Sequence, residues 1–288
     1  MWTSSDLETL LGFPLGRKFT FEFLGFADSS FPQTLTFAEN HAFLELALGN
    51  RNIVAVITTK ELADIFPKDD KLIFSRNPQY IFFRFHNEFA LKSVSRKPTL
   101  IDQSSQISSS ARISPINVKI GAGVVIEDNC VIHEGTEIGA CSVVRSGSTL
   151  GSSAIYVVRG ESEQRFLAEH VGSVSIGERV DIGCNSVIDK GIFLQESTLI
   201  SSDNFIGPLS NISHAVEIQS GNTIAAGVKI SGYSRIGSDN WIGPGALLSH
   251  RIKVGSKNHI ALGSTLLKSI GDNHKVVGNR IFSDRTLF

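Results

Sequence analysis

From Ile176 onward every sixth residue is aliphatic: Ile176, Ile182, Ile188, Leu194, Ile200, Ile206, Ile212, Ile218, Ile224, Ile230, Ile236, Ile242, Leu248, Val254, Ile260 and Leu266. An earlier block in another phase reads Ile120, Ile126, Ile132, Ile138, Val144 and Leu150. Ile107 and Ile113 begin a third, one residue out of step with Ile120. Apolar residues are 41% of the chain, so an unbroken series of this length lies far outside chance. A period of six fits neither an α-helix nor a coiled-coil heptad. It fits a solenoid of short strands, each turning one aliphatic side chain inward. Gly, Asn, Asp and Ser crowd the intervals, as in IGAG, IGSDN and IQSGN. These residues tolerate tight corners. Three hexads then close one triangular coil of 18 residues, and successive coils stack at the strand spacing of about 4.8 Å.

Residues 151–175 break the period. The segment YVVRGESEQRFLAEHVG is more charged and irregular. It reads as a loop projecting from one corner, and projecting loops on solenoids often build binding sites. The first 98 residues carry no hexad. SDLETLLG predicts a short helix with Ser5 or Asp6 near its start. FEFLGFADSS and NIVAVIT predict strands, FAENHAFLELALG a helix, and KLIFS and YIFFRFHNEF further strand or helix of a small α/β unit. The polar stretch SRKPTLIDQSSQISSS, with Pro98, is a natural boundary. The expected organisation is an α/β domain at 1–98, a β-helix at 99–280 and a short tail at 281–288.

Composition narrows the function classes. The net charge is −1, which offers no basic field to nucleic acid and no polybasic run to a membrane. No apolar run reaches the roughly 20 residues of a membrane span, and MWTSSDLETLLGF lacks the basic and apolar regions of a signal peptide. Cys130, Cys141 and Cys184 form no CxxC pair, which argues against a disulfide scaffold and fits a reducing cytoplasm. The expected protein is cytoplasmic, without integral membrane association.

The 18-residue coil also works as a ruler. Two residues past the aliphatics of one face, the series reads Glu178, Glu196, His214, Gly232, His250 and Lys268. Two histidines thus stand in line, two coils or roughly 10 Å apart, with a side-chain-free residue between them. Such a slot suits acyl transfer. A neutral imidazole takes a proton from an attacking amine near pH 7. A backbone N–H beside glycine can stabilise the oxyanion of a thioester under attack. Glu196, one coil below, would orient His214. A three-histidine zinc site is the rival chemistry, but His259 and His274 fall off the column and no third histidine joins it, so no metal is expected.

The chain resembles the bacterial UDP-3-O-acylglucosamine N-acyltransferases, hexapeptide-repeat enzymes of lipid A synthesis. The resemblance rests on VSIGERVDIGCNSVIDKGIFLQESTLI, NISHAVEI, IAAGVKISGYSRIG and LLSHRIKVG, with RSGSTLGSSAIYVV before the projecting loop and LTFAENHAF near the N-terminus. It implies a mainly β fold, a left-handed parallel β-helix with a small N-terminal α/β domain. It further implies a cytoplasmic homotrimer that transfers an acyl group to the amine of a UDP-linked amino sugar. The donor would be an acyl-carrier-protein or acyl-CoA thioester, with no permanently bound cofactor. By resemblance, His214 is the general base and Gly232 supplies the oxyanion N–H. His250 binds the donor's phosphopantetheine arm or the acceptor, and Phe37, Asn40 and Phe43 surround the uracil. Departures from the family pattern are Gly207-Pro208 for Asp-Asn, Ala215 for Asn, Phe43 for Tyr and Lys190 for Arg. The ending VVGNRIFSDRTLF, in place of a helical extension, resembles acyl-CoA-dependent hexapeptide acetyltransferases. Two alternatives follow: an acyl-CoA-dependent N-acetyltransferase of a nucleotide amino sugar for surface polysaccharide, and a non-catalytic scaffold that binds nucleotide sugar.

Overall fold

In the computed structural model, which describes residues 1–12, 14–66, 69–160 and 164–283, the aliphatic series lines the inside of a parallel β-helix. The chain forms two compact units, Met1–Val94 with Ile155–Glu169, and Ser95–Ala154 with His170–Phe288.

The second unit is the solenoid. Its strands are two to four residues long and stack into three ladders, one per face, parallel except where Arg280–Phe282 turns back antiparallel on Lys275–Val277. The first ladder carries Ile120, Ile138, Ile176, Ile200, Ile218 and Ile236 inward. The second carries Ile126, Val144, Ile182, Ile206 and Ile224, and the third Ile132, Leu150, Ile188, Ile212, Ile230 and Leu248. All of these are buried in one continuous core. Each such side chain is worth about 1.5–3 kcal/mol when removed from water. The coils start one hexad before Ile107: Leu100–Ile101, like Gln106–Ile107, already pairs with the next coil, within the polar stretch after Pro98.

Two coils depart from 18 residues. Ile138 pairs with Ile176 across the projecting segment. Ile176 pairs with Ile200, 24 residues on. The extra residues lie between Asp189 and Ser197, and Leu194 is 45% exposed there instead of facing the core. The unbroken aliphatic series therefore holds one false member.

The corners are built from polar side chains as well as turns. Asn204, Asn222, Asn240 and Asn258 are buried one above another. The backbone amide of each of the last three donates to the Oδ1 below it, at 2.8–2.9 Å. Asn222 and Asn240 Nδ2 add a second bond to the same oxygens. An amide side chain here satisfies a buried corner amide that the ladders cannot reach. Elsewhere around the corners, Ser142, Ser148, Ser186 and Ser234 are buried and donate to main-chain carbonyls of the following coil.

The first unit holds a four-stranded parallel sheet in the order Phe23–Leu24, Thr34–Ala38, Ile53–Thr58, Leu72–Phe74. Helix Ser4–Leu11 begins with Thr3 as cap, whose N–H and hydroxyl both donate to Asp6 Oδ2 at 2.8 Å. Helix His41–Gly49 follows the second strand, and helix Pro78–Ser93 the fourth. The projecting segment belongs here. Val157–Arg159 and Arg165–Leu167 form an antiparallel hairpin. It docks on helix Pro78–Ser93 through Asn87, whose Nδ2 donates to Leu167 O at 2.7 Å and whose Oδ1 accepts the Glu169 N–H at 2.9 Å. Residues 161–163 of that segment lie outside the described residues.

Candidate functional site

The third face turns toward the first through corners at Ser213–Ala215, Ser231–Tyr233 and Ser249–Arg251. Each corner ends on a non-glycine residue in left-handed backbone: Ala215 at φ 53°, Tyr233 at φ 61° and Arg251 at φ 58°. Such positions cost energy for side chains other than Gly, Asn or Asp. The middle residues of these corners are His214, Gly232 and His250, so the expected column exists.

Below His214 the column changes. Because of the 24-residue coil, the position under His214 is that of Lys190, two past Ile188, which pairs with Ile212. Glu178 lies at another corner. Glu196 lies in the extra residues and reaches the site from the side. Its Oε2 accepts the Tyr233 hydroxyl at 2.8 Å and the Phe193 N–H at 3.2 Å. The orienting role expected of Glu196 toward His214 is thus replaced by one toward Tyr233. What lies beside His214 Nδ1 is Ser213 Oγ, at 3.2 Å.

Gly232 has a steric reason to be glycine. A Cβ there would stand 2.5 Å from His214 Nε2 and 2.8 Å from its Cδ2. The Nε2 end of the imidazole lies against this backbone. Ser231 N–H donates to Leu248 O and Tyr233 N–H to His214 O. Between them, the Gly232 N–H has no partner among the described residues.

Two further rings stand at His214 that the sequence reading missed. The His170 ring, 2% exposed, packs edge-on at 5.6 Å from it. The Tyr233 ring, also edge-on, stands 5.3 Å from His214 and 5.9 Å from His250. Arg251 covers the Tyr233 ring at 4.7 Å and its Nε lies 3.2 Å from His250 Nε2. The room expected between the two histidines is therefore shared with a phenol. Tyr233 is legible only as the residue after Gly232, whereas His170 sits at the end of the aperiodic segment, where no repeat assigns it a place.

The electrostatics follow from burial. Burial, with His170, His250 and Arg251 nearby, lowers the His214 pKa to about 4. Its ring is neutral at pH 7. Burial pushes the Glu196 carboxyl up to about 7, against the Tyr233 hydroxyl, the Phe193 and Ile192 amides and the Arg251 charge.

In the first unit, Phe37, Asn40 and Phe43 fall where the strand Thr34–Ala38 gives way to helix His41–Gly49. Asn40 caps that helix, its Oδ1 accepting the Phe43 N–H at 3.0 Å. Phe37 is half-buried and packs on Phe82 at 4.9 Å and Phe83 at 5.8 Å. Phe43 is 48% exposed. The C-terminal edge of a parallel sheet is where α/β folds take ligands.

Comparison with known proteins places this geometry. Residues 117–152 match the bacterial transferase hexapeptide (six repeats) family. A UDP-3-O-acylglucosamine N-acyltransferase of Helicobacter pylori is 23% identical over 235 residues, covering 72% of this chain and 68% of that protein. One from Coxiella burnetii is 30% identical over 91 residues, covering 32% of this chain and 26% of its own length. Among solved structures, a UDP-N-acetylglucosamine O-acyltransferase of Moraxella catarrhalis is 21% identical, with a TM-score of 0.48 over 64% of this chain and 70% of that one. The chain is a mainly β protein with the left-handed parallel β-helix of hexapeptide repeats, and an enzyme of the acyltransferase class. Its resemblance is to the UDP-3-O-acylglucosamine N-acyltransferases, at an identity as low as that of a divergent paralogue.

Proposed function

We propose that this chain transfers an acyl group from an acyl thioester to the amine of a UDP-linked amino sugar of the UDP-3-O-acyl-glucosamine type. The observation that carries it is a neutral, half-buried imidazole lying against a glycine whose N–H is unused. The amine nitrogen attacks the thioester carbonyl carbon while His214 takes its proton. The Gly232 N–H holds the oxyanion. Collapse breaks the C–S bond, and the departing thiolate takes the proton back from His214, leaving amide and thiol. His250 and Arg251 receive the donor arm or the acceptor. Phe37, Asn40 and Phe43 receive the uridine. The working form is a cytoplasmic homotrimer, and the donor is acyl carrier protein.

A second reading is favoured by Tyr233, whose ring takes up room beside His214 and His250. Less space over Gly232 suits a smaller acyl group delivered by coenzyme A. One assay separates the two. The protein is given UDP-3-O-acyl-glucosamine with a long-chain acyl carrier protein, or a nucleotide aminohexose with acetyl-CoA. Turnover of the acetyl donor alone overturns the first reading. In whichever reaction runs, His214→Ala is expected to lower kcat at least about 100-fold without unfolding the protein. Full activity in that variant removes the general-base assignment.

A further inference from the structure

We propose that Tyr233, tied in place by Glu196, is a positioning residue that holds the His214 imidazole against the Gly232 backbone, a role that rests on the general-base reading above. Tyr233 is fixed at three points. Its backbone is left-handed, at φ 61°, which sets the direction in which the side chain leaves the corner. The Arg251 guanidinium lies 4.7 Å over its ring. Its hydroxyl donates to Glu196 Oε2 at 2.8 Å.

Glu196 is itself held by the extra residues of its coil. Ile192 and Phe193 there are fully buried. The Val171 and Gly172 N–H groups donate to Ile192 O and Gly191 O at 3.0 Å, and the Ser173 N–H donates to Glu196 O at 2.9 Å. Two glycines let the chain close on this residue. A Cβ on Gly191 would stand 2.7 Å from Glu196 Cβ, and one on Gly172 2.5 Å from Glu196 O. The Glu196 N–H donates to Phe193 O at 2.9 Å, and its Oε2 accepts the Phe193 N–H at 3.2 Å. Oε2 can accept both of its bonds even when the acid form carries its proton on Oε1. The Tyr233 hydroxyl therefore has a fixed acceptor in either state of the carboxyl.

The Tyr233 ring then acts on His214. The two centroids are 5.3 Å apart and the planes cross at 75°, a packed edge-to-face contact. The His170 ring meets His214 at the same angle from 5.6 Å. With its Nε2 end against Gly232, the imidazole cannot turn about its Cβ–Cγ bond without displacing one of these rings. The phenol also keeps water from the imidazole, in keeping with burial as the main cause of its low proton affinity. The titratable and charged groups acting on His214 are His170, His250 and Arg251, and Tyr233→Phe leaves all three in place. A changed His214 titration in that variant reports the ring's freedom and its access to water, not a lost charge.

The test is a proton NMR titration of the His214 ring in the full chain, its signal being assigned by loss in His214→Gln. In the wild type the ring is expected to titrate near 4. In Tyr233→Phe, which keeps the aromatic ring and removes the tie, its pKa is expected to rise toward the ordinary 6.5. In turnover that variant should lose about 10-fold in kcat with KM within about twofold. Glu196→Ala is expected to act like Tyr233→Phe, and the double variant to lose no more than either single one. Glu196→Gln, whose amide oxygen still accepts the tyrosine hydroxyl, should keep the wild-type titration and kcat. If circular dichroism shows Glu196→Ala unfolded, Tyr233→Phe and Glu196→Gln carry the test. An unchanged His214 pKa or an unchanged kcat in Tyr233→Phe overturns the proposal. Losses that simply add in the double variant, or a Glu196→Gln enzyme as impaired as Tyr233→Phe, overturn it too, because the tie to Glu196 is then not what holds the ring. A wild type that turns over no acyl donor overturns the general-base reading instead, and leaves the titration to decide whether Tyr233 governs His214.

Discussion

Gly232 leaves no room for a side chain beside His214. A methyl group at 232 has no place to go except into the imidazole, 2.5 Å from Nε2. Gly232→Ala is therefore expected to swing His214 off the backbone and reduce kcat by about 100-fold, while circular dichroism stays that of the wild type. An active alanine variant would mean that the ring works elsewhere. Glu196 and His214 are shifted in opposite directions. Glu196 is raised from an ordinary 4.5 to about 7, so its contribution to stability is whole below 4.5 and is lost as pH rises through 7. His214 is lowered from 6.5 to about 4, so its contribution is whole above 6.5 and is lost as pH falls through 4. Between 4.5 and 6.5 the two oppose each other. In Glu196→Gln only the histidine contribution remains. The melting temperature of the variant minus that of the wild type is expected to climb from pH 4.5 to 7 and be level outside that window. A difference independent of pH would contradict the raised carboxyl.

At the scale of the coil, the period of six made the aliphatic face legible because each inward position answers to one demand, the filling of a narrow core. It also gave the vertical order of His214, Gly232 and His250. It failed at Glu196 because nothing in the spacing marks the coil that is six residues too long. Leu194 kept the aliphatic pattern while leaving the core. The asparagine ladder was hidden for a related reason. In IGSDN and IQSGN the asparagine is indistinguishable from a turn residue, and only stacking reveals that its side chain points inward. Asn222 accepts two bonds from Asn240 and gives two to Asn204. Asn222→Ala should strand those groups and cost about 1–3 kcal/mol, measured by urea unfolding. A loss no larger than that of a surface substitution would show that the ladder is not holding the corners.

Across the whole molecule, the sequence divides the chain at a polar stretch, while the structure divides it by what packs together. The hairpin of residues 157–167 has too little apolar periodicity to declare where it docks. Its anchor is polar: Asn87, with one bond in each direction. Asn87→Ala is expected to weaken that docking by about 1–2 kcal/mol and to speed amide exchange at Glu169 within the first unit. Unchanged exchange at Glu169 would mean that the hairpin is held by its other contacts. The departures at Gly207, Pro208 and Ala215 leave the coil intact, since Ile206 and Ile212 still fill their core positions.

The discontinuous first unit has a consequence for how the protein is made. A ribosome that has finished Val94 must add the 60 residues from Ser95 to Ala154 before the hairpin that completes that unit emerges. At 5–20 residues per second this takes about 3–12 s. During that time helix Pro78–Ser93 waits with Asn77, Tyr80 and Asn87 unmatched by the Arg159, Gln164, Leu167 and Glu169 groups they later bond. The first solenoid coils are synthesised meanwhile, so the order of folding is not the order of the chain. The N-terminal part matures late, as a nascent segment kept incomplete until its missing piece arrives from within the next one.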